Sequence, residues 1–127
     1  MYYTWAIDNT THPTLNSLGS NQAQLTEATR IDANMLMDYL YTHPNAKLRY
    51  HKSEMQLHID SDAAYLVAPK AKSRVAGYCY LSTKSGQPTL NAPIHVECAL
   101  IKHAVSSAAE AETGGIFHNA KSAIHIK

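Results

Sequence analysis

The chain has 127 residues, 45% of them hydrophobic and 17% charged, with a formal net charge of +1. That length holds one domain, or one small domain with an appended piece of another, and the hydrophobic share argues against wholesale disorder. The near-neutral balance decides nothing about nucleic acid, because a local basic patch binds phosphate on a neutral protein.

Residues 1–9 are apolar and aromatic but lack the basic start and apolar core of a secretory signal. No apolar run approaches the roughly 20 residues needed to cross a bilayer. The expectation is a soluble intracellular protein, cytoplasmic or nuclear, with no membrane partner. Residues 9–14, Asn-Thr-Thr-His-Pro-Thr, read as a loop broken at Pro13. A helix is predicted over residues 26–41, with Thr26 as N-cap, Glu27 in the dipole-favoured first turn, and Ile31, Met35, Leu36, Tyr39 and Leu40 on its packing face. Thr42-His43-Pro44-Asn45 stops it.

Past Tyr50 the hydrophobic period changes from helical to alternating. Met55, Leu57 and Ile59 point one way and His58, Asp60 and Asp62 the other, as in a half-buried strand. The polar row has two readings, a metal-binding face or the wet side of a sheet. Residues 63–74 read as a basic connection, in which Lys70, Lys72 and Arg74 form either a phosphate-binding patch or a solvated loop. Residues 75–81 suit a second strand, residues 83–88 a turn and residues 94–100 a third strand. Cys79 and Cys98 fall in strand-like runs with no C-x-x-C pair, so both are expected to be buried, reduced thiols. His95, Cys98 and His103 match no recognised zinc spacing.

The last element is a helix opened by Ser107 as N-cap. Helical spacing predicts a packing stripe of Ala109, Glu112, Ile116, Ala120 and Ala123, with Glu110 opposite in water. Glu112 is the anomaly, because a carboxylate on a packing face is costly unless a cation, a donor or a metal meets it. The alternative is a rim glutamate that reaches solvent. Three strands followed by a helix, on short loops, predict an α+β fold in which an antiparallel meander carries a helix on one face, preceded by a separate N-terminal helix.

Four segments occur in a fixed order: S-D-A at residues 61–63, S-R-x-x-G-Y at 73–78, a strand from Ile94, and S-A-A-E-A-E at 107–112. Together they resemble the ribonuclease H domain of copia-type retrotransposon polyproteins. Upstream, Y-Y-x-x-A-I-D from Tyr2, Q-A-x-x-T-E-A-T from Gln22, T-H-P-x-A from Thr42 and R-Y-H from Arg49 resemble the segment that joins the reverse transcriptase to that domain. The resemblance therefore implies a connection segment over residues 1–50 and the N-terminal half of a ribonuclease-H-like domain over 51–127.

In that family, a carboxylate at the end of the first strand and another on the first helix help to hold metal ions. By motif these carry over to Asp62 and Glu112, with Asp60 a polar neighbour of the site or an additional metal contact. The implied cofactor is Mg2+, with Mn2+ as a substitute, and the implied substrate is an RNA/DNA hybrid. The rest of the Pol polyprotein is the implied partner. Hydrolysis of a phosphodiester places negative charge on the attacking and leaving oxygens, which two hard cations about 3.5–4 Å apart stabilise. The sequence departs from the family in one respect: residues 123–127 contain no acid, and the family's later carboxylates are absent. The expectation is a chain inactive by itself, or a non-catalytic remnant or small interaction domain, prone to self-association through an unpaired sheet edge.

Overall fold

A computed structural model describes residues 2–84 and 89–126. It divides into two compact units, Met1–Leu48 and Arg49–Lys127. The first contains α1 (Tyr2–Ala6), a 3-10 turn (Asn9–Thr11), α2 (His12–Ser20) and α3 (Glu27–Thr42). The second contains β1 (Gln56–Ala68), β2 (Lys72–Ser82), β3 (Pro93–Leu100) and α4 (Ala108–Ile126).

In the first unit, α3 begins where its cap predicts. The Thr26 hydroxyl accepts from the Thr29 N–H at 3.2 Å, and the Thr26 N–H donates to the Thr29 hydroxyl at 3.5 Å. Two expectations fail here. Residues 9–14 are not a loop: the Asp8 carboxylate caps the 3-10 turn through the Thr10 N–H at 3.1 Å, and Pro13 lies in the first turn of α2. A proline there starts a helix, because the N–H it lacks has no partner within the first turn. The packing face of α3 is only partly as predicted: Leu36, Tyr39 and Leu40 are half-buried, but Ile31 and Met35 are exposed and Thr29 is buried.

In the second unit, β1, β2 and β3 form an antiparallel sheet in that order, so the fold is α+β with a meander and a helix. The strands outrun their predicted bounds, since residues 63–68 and 72–74, read as connection, belong to β1 and β2. Two residues with positive φ, Lys70 at 62° and Ala71 at 51°, make the turn between them. Both lie in the left-handed region, which glycine and asparagine adopt most readily. Ala71→Gly is therefore expected to raise stability by about 0.5–1 kcal/mol, read as a higher urea midpoint at unchanged slope. Leu66, at φ 54°, marks a bulge where the register slips between Ala64 and Ala68. Most of the predicted turn at 83–88 lies outside the described residues.

Asn91 ties the start of the unit to the sheet. Its Nδ2 donates to the carbonyls of His51 at 2.9 Å and Leu81 at 2.8 Å, and its Oδ1 accepts from the N–H groups of His51 at 2.8 Å and Ala92 at 2.9 Å. Both donors and both acceptor positions of this buried amide are satisfied.

The core lies between the sheet and α4, around Val75, Ile101 and Ala111. The predicted stripe on α4 is a correction: Ile116 is 61% exposed, Ala109 and Ala120 are exposed, and the buried residues are Ala111, Gly115 and Asn119. The true seam is rotated by about one residue, roughly 100°. Close approach is the reason. A β-carbon at Gly115 would lie 3.3 Å from Ala63 Cβ and 3.3 Å from Val75 Cγ2, so the helix backbone rests almost on the strands. Asn119 covers Gly77, and its Nδ2 donates to Ser61 Oγ at 2.7 Å and to the Ala76 carbonyl at 2.9 Å.

Candidate functional site

The two carboxylates singled out by motif leave β1 and α4 in different directions. Ser61 and Ala63 both meet α4, through Asn119 and Gly115 respectively. Strand alternation therefore sends the exposed Asp62 side chain to the opposite, open face of the sheet, with Asp60. Opposite Asp60 stands Tyr78, and Tyr80 is next along that face. Burial, the neighbouring tyrosines and the Asp60 charge push the Tyr78 phenol above its usual range, and burial and Asp60 do the same to Tyr80. Asp60 thus borders a tyrosine cluster, not Glu112.

Glu112 is half-buried on the flank of α4. The flank bearing Gly114, Phe117, His118 and Lys121 faces the end of β3. Glu112 projects from the other side, which is that of β1, the outer strand. Asp62 therefore lies on the open face of the sheet and Glu112 on its helix side, so the structure does not bring the two carboxylates together on one face. Among the described residues, no three His, Cys, Asp or Glu side chains are grouped so as to hold a metal ion.

The other acid of the S-A-A-E-A-E segment has a local task. The Glu110 carboxylate accepts from the Ser106 N–H at 2.7 Å and the Ser106 hydroxyl at 2.6 Å, while the Glu110 N–H donates to Ser107 Oγ at 3.1 Å. Ser107 is thus the N-cap that the sequence predicts. The Ser106 bonds, with a smaller effect of His103, hold the Glu110 carboxyl below the usual range. The bonds from Ser106 are fully present at neutral pH and weaken as acid protonates this carboxylate, while the Ser107 cap does not titrate.

Lys70 and Lys72 are exposed at the β1–β2 turn, and Arg74 is half-buried, with Nη1 3.9 Å from Cys98 Sγ. Cys79 is buried, and burial followed by the Glu97 charge raises its thiol above the usual range. Cys98 is only half-buried, which corrects the expectation of two buried thiols; it lies across from Ala76 on the face of the sheet turned away from α4.

One polar group under α4 escaped the sequence reading. Glu97 lies opposite Gly77, with its Oε2 3.3 Å from His95 Nε2 and its Oε1 3.6 Å from His118 Nε2. The alternation of residues 94–100 gave the only available signal, because it placed His95, Glu97 and Ala99 on one face. No helix among the described residues is long and apolar enough to cross a membrane. No protein-family model, curated protein or solved structure matches the chain.

Proposed function

We propose that residues 51–127 are the first half of a ribonuclease-H-like nuclease domain of the copia retrotransposon type, and that residues 1–50 are the connection from a reverse transcriptase. The observation that carries this reading is the placing of the motifs on the elements. S-D-A lies on β1, S-R-x-x-G-Y on β2, and S-A-A-E-A-E opens α4, which crosses the sheet they build. On this reading, a further strand bearing a carboxylate would dock beside β1 and join Asp62 and Glu112 in a set of ligands for magnesium or manganese. The substrate class would be an RNA/DNA hybrid, read by groove shape and the 2′-hydroxyl. Lys70, Lys72 and Arg74, at the turn end of the same strands, would meet its phosphates.

A second reading keeps sheet and helix for packing or partner binding without hydrolysis. It is favoured by the lack of any group of three metal-binding side chains among the described residues. Both readings predict that the 127-residue chain leaves a labelled hybrid intact with magnesium. Cleavage that Asp62→Asn abolishes would overturn the incomplete site. The readings separate on metal: the nuclease reading expects Mn2+ to raise the melting temperature, and expects Asp62→Asn and Glu112→Gln each to remove that rise. If neither substitution changes the metal response, the non-catalytic reading stands.

A further inference from the structure

Beside α4, away from Asp62 and Glu112, lies a cleft of about 310 Å³ between the exit of β3 and the helix. Lys102 and His103 line it from the chain just after β3, and His118 and Lys121 line it from α4. Its floor is apolar, formed by the buried Val75 and Ile101. Among the described residues that line it, none carries a carboxylate. Neither Lys102 nor Lys121 forms an ion pair among the described residues. The imidazoles do have acidic neighbours outside the lining: Glu97 stands 3.6 Å from His118, and Glu110 feels the charge of His103.

Gly114 supplies a second, independent observation. It lies well inside α4, where only proline suits a helix less than glycine. Its neighbour Gly115 is explained by contact with Ala63 and Val75, but a β-carbon at Gly114 would meet nothing within 4 Å. The feature Gly114 does serve is the cleft, which it lines and leaves open. Phe117, 65% exposed, forms one wall, with Lys121 Nζ 5.6 Å from its ring centroid.

We infer that this cleft binds the phosphate group of a nucleotide. Two ammonium groups free of ion pairs among the described residues and two imidazoles suit a multiply charged oxyanion, and the face of the exposed Phe117 ring not covered by Lys121 offers a flat apolar surface to a base. The size is at the lower end of small-ligand sites. The inference uses neither carboxylate of the nuclease reading, and neither depends on the other.

The test titrates the full chain, followed by amide NMR, with adenosine monophosphate, inorganic phosphate and a short single-stranded oligonucleotide. Saturable shifts are expected at Lys102, His103, Gly114, His118 and Lys121. Lys102→Glu combined with Lys121→Glu should weaken binding at least tenfold, while Lys47→Glu combined with Lys52→Glu, an equal change of charge elsewhere, should leave it unchanged. Gly114→Leu, which fills the mouth and favours the helix, should abolish binding without lowering the melting temperature. Tighter binding of the monophosphate than of inorganic phosphate assigns the free nucleotide as the source, and tighter binding of the oligonucleotide per phosphate assigns a polynucleotide. The inference is overturned if these residues do not shift at about 10 mM of any probe. It is equally overturned if the two charge-changed pairs weaken binding alike.

Discussion

Gly77→Ala is expected to unfold much of the sheet-and-helix unit under conditions that the unaltered chain withstands. The added β-carbon would lie 2.1 Å from Asn119 Oδ1 and 2.7 Å from its Cγ. Asn119 is 2% exposed and anchored by its bonds to Ser61 and Ala76, so relief requires that it swing away or that α4 lift from the sheet. Overpacking of this kind costs about 1–3 kcal/mol. Loss of both buried hydrogen bonds, at about 1 kcal/mol each, brings the total to about 3–5 kcal/mol. Small domains hold on the order of 5 kcal/mol, so the loss is large. Circular dichroism should show melting lower by about 10 °C or more. Adding Asn119→Ala removes the collision, so the double variant should melt above Gly77→Ala, and the two changes should be coupled by at least about 1 kcal/mol. A Gly77→Ala chain that melts like the original would mean that Asn119 does not sit over this glycine.

Exchanging Asp60 and Asp62 together for valine is expected to drive the chain into large assemblies. β1 is 13 residues long and lies at the end of the sheet, so among the described residues one row of its N–H and C=O groups has no strand partner. If two copies paired antiparallel about Ser61, Asp60 of one would face Asp62 of the other, and like charges directly opposite repel. The bulge at Leu66 adds a second deterrent by twisting one end of the edge. Valine removes the repulsion and raises strand propensity. In sedimentation velocity, the unaltered chain should associate weakly as its concentration rises, and the double variant should do so at concentrations at least tenfold lower. Identical, concentration-independent monomers for both would show that this edge is not adhesive.

The contrast between the strands and α4 shows what a sequence makes legible. Alternation gave the strand and its faces from residue 57 on: Leu57 and Ile59 are partly buried, and Asp60 and Asp62 are exposed, whereas Met55, at φ 61°, precedes β1 and is exposed. The same alternation already implied that Asp62 turns away from the helix, which a pairing of Asp62 with Glu112 by motif alone overlooks. Caps were equally legible, because Thr26 and Ser107 act within one turn of themselves. The packing face of α4 was not. Its seam is made of Ala111, Gly115 and Asn119, which carry little hydrophobic signal, while Ile116, Phe117 and Ile124 are left exposed. Where helix and sheet approach to backbone distance, size decides the face, and apolarity misleads. Pro13 was misread because a proline marks a helix start as readily as a break.

Whether Asp62 and Glu112 grip one ion across the edge of β1 is read most directly from amide NMR of the chain during Mn2+ addition. Broadening is expected to reach Asp62, Ala63 and Glu112 together at low Mn2+, and Glu112→Gln should weaken it at Asp62 as well as at the substituted position. Broadening confined to Asp60 and Asp62, and unaffected by Glu112→Gln, would contradict a site shared between strand and helix.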